Sequence, residues 1–243
     1  MPRLDQLLVK RGLCQTRARA RDAVLRGKVK VDGRVATKPG HPASPEACIE
    51  IEDEAQGHVS RAALKLIHGL DRFGISPAGL TCLDLGASTG GFTQVLIERG
   101  ARHVTAVDVG HGQMAPELRD DARVMLIEGL NARDLTAGHL PEPPEIVVAD
   151  LSFISLKLAL PPALQLARPG AWLLALIKPQ FEAGRGAVDK QGVVRDPQVH
   201  EAVCRDLSNW LQTDMGWRAI GIEPSPILGG EGNREFLIAA RKP

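Results

Sequence analysis

The sequence predicts an α/β protein built on a mostly parallel, doubly wound sheet, preceded by a small α+β unit. Three observations carry this. From about residue 58 onward, short apolar runs alternate with helical stretches, the pattern of parallel strands joined by crossover helices. The last two apolar runs, 217–223 and 235–240, follow one another with no helix between them. The expected sheet therefore has seven strands, with the last one antiparallel at its closing edge. The first 55 residues instead combine two short helical stretches with a hairpin.

The chain has 243 residues, 44% of them hydrophobic, enough for one large domain with a small appendage. A net charge of +1 implies no polyanionic partner, but the distribution is uneven. Residues 1–40 hold eleven basic and three acidic side chains, a net +8, against −7 for the remainder (19 basic, 26 acidic). A basic arm on an acidic body points to nucleic acid at the N-terminus. Cys14, Cys48, Cys82 and Cys204 show no CxxC spacing, so neither a disulfide framework nor a thiolate zinc site is expected, and no metal. Lys10 and Arg11 interrupt the N-terminal apolar run, and the best later run is 171–177. Both fall short of a signal core or a spanning helix of roughly 18 residues, so a soluble cytoplasmic protein without a membrane partner is expected.

In the N-terminal unit, Leu4, Leu7 and Leu8 repeat at helical spacing and Gly12 can end that helix. Thr16 suits the N-cap of a second helix, with Ala20, Val24 and Leu25 expected inward and Gly27 at its end. The alternation around Asp32-Gly33 in 28–35 reads as a hairpin, and 48–51 can close a small sheet. Arg17 and Arg21, four apart, share a helix face. Residues 52–57 are acidic, then flexible, and mark a boundary: a linker at 56–60 separates a unit of 1–55 from a domain of 61–243.

The large domain opens with an apolar helix at 64–73 and a buried strand at 80–85. A helix with Phe92, Val95 and Leu96 on one side follows. Further strands are expected at 103–108, 124–127, 146–150 and 171–177, with helices near 156–167 and 197–213. Ligands of such a fold bind at the carboxyl ends of the strands. There, Asp84-Leu85-Gly86-Ala87-Ser88-Thr89-Gly90-Gly91-Phe92 forms a strand-to-helix turn whose glycines admit a close ligand. The spacing is not the GxGxxG of dinucleotide binders, and a strand-end carboxylate suits a cation better than a pyrophosphate. Asp84 can neutralise the ammonium of S-adenosylmethionine, and Asp108, at the next strand end, can accept its ribose hydroxyls. Asn131 and Asp134 follow the third strand and face either the adenine edge or an ordinary turn. The cofactor-binding candidates are Asp84, Gly86, Ser88, Thr89, Gly90, Gly91, Phe92, Asp108, Asn131 and Asp134.

Asp150 and Lys178 each end a strand, Lys65 lies in the first helix of the domain, and Glu235 opens the last strand. A lysine bordering an apolar strand is costly unless paired, so Lys178 beside Asp150 marks a functional candidate. Lys65 taken alone is equally a solvated helix residue.

The runs Asp84–Thr93, Ala149–Leu156 and Lys178–Glu182, with Gly192-Val193-Val194-Arg195-Asp196-Pro197, resemble the TlyA family across essentially the whole chain. Arg3-Leu4-Asp5, the helix start at 16–21 and Gly27–Gly33 resemble the S4 RNA-binding domain. The resemblance implies an S4 domain followed by an FtsJ-like, Rossmann-like methyltransferase domain. Its implied activity is S-adenosylmethionine-dependent 2′-O-methylation of a cytidine in ribosomal RNA, of the large subunit and in some members the small one. The family's Lys-Asp-Lys-Glu tetrad falls on Lys65, Asp150, Lys178 and Glu235. The implied RNA contacts are Arg3, Arg11, Arg17, Arg19, Arg21, Lys28 and Lys30. The sequence departs from the family at His58, Ala62 and Ala63, and it lacks a Trp-bearing linker. Its extent matches the shorter class, for which large-subunit RNA is the implied target. Three alternatives stand beside this reading: a non-catalytic S4 ribosome-assembly protein, a haemolysin as the family label implies, and an NAD-dependent oxidoreductase. The glycine-rich, basic segment 182–196 is expected to act as a mobile RNA-contacting lid or, equally, to be no more than a disordered loop.

Overall fold

A computed structural model describes residues 1–14, 16–53 and 57–243. The chain divides into two compact units, Met1–Ser60 and Arg61–Pro243. Gln56, the first residue of the expected linker, lies outside the described residues, as do Glu54 and Ala55 of the acidic run.

In the first unit, α1 (Leu4–Lys10) buries Leu4, Leu7 and Leu8. Gly12, just beyond it, is left-handed at φ +70°. α2 (Arg17–Leu25) is capped by the Thr16 hydroxyl, which accepts from the Arg19 N–H at 3.3 Å. Its inward face is Ala20, Ala23 and Val24. Leu25, expected inward, is 65% exposed, because one further residue turns the side chain about 100° away from Val24. β1 (Val29–Val31) and β2 (Arg34–Val35) are joined through Asp32 and Gly33, both at positive φ as this tight hairpin turn requires. β3 (Ile49–Ile51) pairs antiparallel with the other side of β1, giving the order β2-β1-β3.

The second unit begins with α3 (Ala62–Phe73), whose apolar stripe includes Ala63, Leu66 and Leu70. β4 (Thr81–Leu85), α4 (Gly91–Glu98), β5 (His103–Asp108), the short α5 (Pro116–Arg119), β6 (Val124–Glu128) and β7 (Ile146–Ala149) follow. The helix expected at 156–167 is two pieces, α6 (Leu156–Ala159) and α7 (Pro161–Leu166). Pro161 and Pro162 lack the N–H groups that would continue one helix across Leu160. β8 (Trp172–Ile177), α8 (Pro179–Glu182), α9 (Pro197–Thr213), β9 (Arg218–Pro224) and β10 (Phe236–Arg241) complete the unit. α9 starts where Asp196 accepts from the Gln198 N–H at 2.8 Å.

The seven strands lie in the order β6-β5-β4-β7-β8-β10-β9. β4 through β8 are mutually parallel, while β10 is inserted between β8 and β9 and runs antiparallel to both. Both faces of the sheet are covered, so the central strands read as continuous apolar runs rather than alternating ones. Leu83, Val147 and Leu173 pack on the side of α6, α7 and α9, while Cys82, Val148 and Leu174 pack on the side of α3 and α4. Gly69 lets α3 approach closely, since a Cβ there would sit 2.8 Å from Leu174. The insertion of β10 does most to shape the strand-end cleft. Its register, Phe236 opposite Ile177, brings the start of the last strand to the carboxyl end of β8.

Candidate active site

The carboxyl ends of β4, β5, β7 and β8 carry Gly86, Asp108, Asp150 and Lys178, and Glu235 arrives beside them through the β10 register. The four expected tetrad residues form two ion pairs. Lys178 Nζ lies 2.7 Å from Asp150 Oδ1 and donates to Ser152 Oγ at 2.9 Å. Lys65 Nζ lies 2.5 Å from Glu235 Oε2, and both side chains are buried. Burying charge is tolerated here because each ammonium meets a carboxylate.

A cavity of about 1070 Å³ opens at these strand ends. Its lining includes Gly86, Ser88, Asp108, Asn131, Asp150, Ser152, Phe153 and Gln180. Lys178 is not among the lining residues; its side chain is 11% exposed and reaches two residues that are, Asp150 and Ser152. Ser88 and Phe153 are non-glycine residues at positive φ, +46° and +65°, the kind of backbone strain that gathers at functional sites. Phe153 is 91% exposed and its ring centroid lies 5.2 Å from that of Phe181.

Asp108 is fixed from both sides: Oδ2 accepts the Ser88 N–H at 2.8 Å and Oδ1 the Gly110 N–H at 2.7 Å. Asn131 Oδ1 accepts the Arg133 backbone N–H at 3.1 Å and its Nε at 3.3 Å, which leaves the amide hydrogens of Asn131 for the cavity. Asp84 is fully buried beneath the glycine turn. Thr93 donates to its Oδ2 at 2.6 Å, and Oδ1 has no hydrogen-bond partner. Burial pushes its carboxyl up to about 7 against the Thr93 hydrogen bond, and the charges of Asp150 and Asp108 push it further the same way. Among the other cofactor candidates, Phe92 packs in the core, Gly91 starts α4, and Gly90 is left-handed at φ +95° against Leu118. Thr89 and Asp134 are exposed and do not line the cavity.

The expected residues do not include Ser152, Phe153, Gln113 or Gln180, all of which line the cavity. Nor do they include Glu182, which binds two motifs together. Its Oε1 accepts the Leu156 N–H at 2.8 Å and its Oε2 the Ser155 hydroxyl at 2.6 Å, while burial pushes its carboxyl up. The second half of the segment expected as a mobile lid is anchored. Val193 and Val194 are buried, and Asn233 Oδ1 accepts the Val194 N–H at 3.2 Å.

In the first unit, Arg3 and Arg17 both pair with the buried Asp5, at 3.1 and 3.2 Å. Arg11 donates to the carbonyls of Ala47 and Pro45, and Lys30 donates to Glu52 at 2.6 Å. The Arg19 backbone N–H is held by the Thr16 cap. Arg21 is exposed and Lys28 half-buried.

The residues around the glycine turn fit a donor with a cationic end. Asp84, fully buried and not part of the cavity lining, keeps an unfilled carboxylate oxygen beneath the turn, and Gly86 leaves a cradle in which a Cβ would fall 2.6 Å from the Asp150 carbonyl. A doubly wound sheet with a glycine turn after one strand, an acid after the next, and this lysine–carboxylate arrangement defines an S-adenosylmethionine-dependent methyltransferase. The chain belongs to the FtsJ-like methyltransferase family, whose model matches residues 58–242, and the S4 domain model matches residues 2–47. It is 44% identical over 240 residues to the 16S/23S rRNA (cytidine-2′-O)-methyltransferase TlyA of Mycobacterium tuberculosis, covering 98% of this chain and 89% of that one. It is 39% identical to Hemolysin A of Brachyspira hyodysenteriae, over 97% of this chain and 98% of that one. A solved Streptococcus thermophilus structure named for a hemolysin superimposes with a TM-score of 0.80 at 39% identity, covering 99% of this chain and 88% of that one.

Proposed function

We propose that this protein methylates the 2′-hydroxyl of a cytidine in ribosomal RNA of the large subunit, with the S4 domain docking the RNA on a ribosomal subunit in the cytoplasm. The observation that carries the reading is the Lys178 amine, held by Asp150 and Ser152, which line the same cavity as Gly86 and Ser88 of the glycine turn. The working division is an S4 domain at 1–55, a linker at 56–60 and a catalytic domain at 61–243.

When bound, S-adenosylmethionine supplies an electrophilic methyl group, which the 2′-oxygen takes as the carbon–sulfur bond breaks and leaves its electron pair on sulfur. Asp84 and the turn at 86–92 hold the methionine end, Asp108 accepts the ribose hydroxyls, and Asn131 donates to the adenine edge. Once its ammonium has released a proton to solvent, Lys178 takes the proton of the attacking hydroxyl, Asp150 holds that amine by charge, and Glu235 holds Lys65 beside them. In-line placement of oxygen and methyl supplies much of the acceleration. Among the described residues no helix is long and apolar enough to cross a membrane, and nothing at the site calls for one.

The test is mapping of 2′-O-methyl groups on ribosomal RNA from cells with and without this protein. Loss of a single cytidine modification supports the reading, and an unchanged map defeats it. In purified protein, Lys178→Ala is expected to abolish methyl transfer and leave donor affinity within a few fold. Retained turnover removes Lys178 from the base role.

A further inference from the structure

We propose that Ser152 is a positioning residue for Lys178: its hydroxyl oxygen accepts the hydrogen bond that sets the rotation of the amine, which the Asp150 carboxylate holds by charge, and leaves the remaining valence to the substrate hydroxyl. The inference rests on the proposed function, in which Lys178 takes the 2′-hydroxyl proton.

A lysine Nζ is tetrahedral, with three positions beyond the Cε–Nζ bond, and rotation about that bond is easy. To accept a proton the amine must present a lone pair, with two N–H bonds in the other positions. Without an acceptor the lone pair can occupy any of the three places. Ser152 Oγ accepts at 2.9 Å and pins one N–H. The Asp150 carboxylate, 2.7 Å away with Oδ1 outside hydrogen-bond geometry, acts by charge and disfavours the lone pair on its own side. Both residues line the cavity. When the proton arrives, the new ammonium already has one N–H bonded to Ser152, and its charge faces the Asp150 carboxylate. Little reorganisation is then needed at the moment of reaction.

Ser152 has no competing structural duty. The serine that caps α6 is Ser155, whose hydroxyl accepts from the Lys157 N–H at 3.2 Å. Ser152 is exposed, and its hydroxyl makes no other hydrogen bond among the described residues. A surface serine whose one contact is a buried lysine amine is placed for that amine. The second ion pair is built differently, with Lys65 held by the Glu235 carboxylate in a buried setting.

The experiment uses the full-length chain, S-adenosylmethionine and large ribosomal subunits from cells lacking the protein. It compares wild type, Ser152→Ala, Ser152→Thr and Lys178→Ala. Misdirecting a reacting group costs on the order of 10²-fold, so Ser152→Ala is expected to lower kcat by about 10- to 100-fold. KM for the subunit, donor affinity and Tm should stay close to wild type. Ser152→Thr, which restores the hydroxyl, should recover most of kcat. Wild-type kcat in Ser152→Ala, a loss confined to KM, or no recovery in Ser152→Thr overturns the proposal while leaving the base role of Lys178 in place. Full activity in Lys178→Ala would instead overturn that role, and the proposal with it.

Discussion

Lys65 and Glu235 stand 170 residues apart in sequence and meet in a buried ion pair, Nζ to Oε2 at 2.5 Å. α3 brings the lysine and the inserted β10 brings the glutamate. Removing one partner of such a pair leaves an uncompensated buried charge, a cost of about 3–5 kcal/mol, whereas replacing both by apolar groups is often neutral. Glu235→Ala is therefore expected to lose both stability and methyl transfer. The double variant Lys65→Met/Glu235→Leu should regain the stability without the activity. Thermal melts and a methyl-transfer assay separate the two effects, and activity in the double variant would show that the pair serves folding alone.

Asp84 sets a pH dependence whose sign follows from its environment. Its folded carboxyl is raised to about 7, with burial as the main cause. An unfolded chain gives up this proton near the ordinary carboxylate value of about 4. Below that value both states hold the proton, and Asp84 gives stability no pH dependence. As pH rises from about 4 to about 7 the unfolded state binds fewer protons than the folded one, and stability is lost. A cationic donor favours the ionised form. Its affinity should thus rise with pH between about 5 and 7, below the range near 8 where a free α-amine itself titrates. Calorimetry in buffers of different ionisation enthalpy should register proton release on binding at pH 6.5. Binding that is flat over this window, with no proton released, would remove Asp84 from contact with the cation. Asp84→Asn is expected to abolish the pH dependence and weaken binding at pH 7.5.

The strand-end residues Asp84, Asp108, Asp150 and Lys178 are legible in sequence because each follows an apolar run long enough to be a buried strand, and parallel strands align such ends. The Lys65–Glu235 pairing comes only with the family resemblance, since nothing local reports the insertion of β10 between β8 and β9. Ser152, Glu182 and Asn233 are invisible for the same reason. Their partners, Lys178, Leu156 and Val194, lie 26, 26 and 39 residues away. Gly229 shows the limit well. Its φ is an ordinary −74°, yet a Cβ there would fall 2.0 Å from Glu235 Oε1, so the reason for a glycine is a side chain six positions along, on the far side of a loop. Leu25 departs from expectation for a simpler reason: counting periodicity from Val24 does not reveal which of two adjacent apolar residues wins the core.

The basic N-terminal unit separates into cations with intramolecular partners and cations without. Arg11 donates to the carbonyls of Ala47 and Pro45, so its guanidinium holds the loop that leads into β3. Arg21 is exposed and has no hydrogen bond or ion pair among the described residues. Each cation that displaces counterions from a phosphate contributes roughly 0.7–0.9 to the slope of log affinity against log salt. Arg21→Ala is expected to reduce the slope for ribosomal RNA by about that amount with no change in Tm. Arg11→Ala should act in the opposite sense, lowering the stability of the first unit while the slope of the folded fraction stays near wild type. Binding measured from 50 to 200 mM salt beside a thermal melt distinguishes them. Equal slope losses in the two variants, with unchanged melts, would mean that RNA draws Arg11 away from its carbonyls and that the intramolecular bonds do not decide which cations bind.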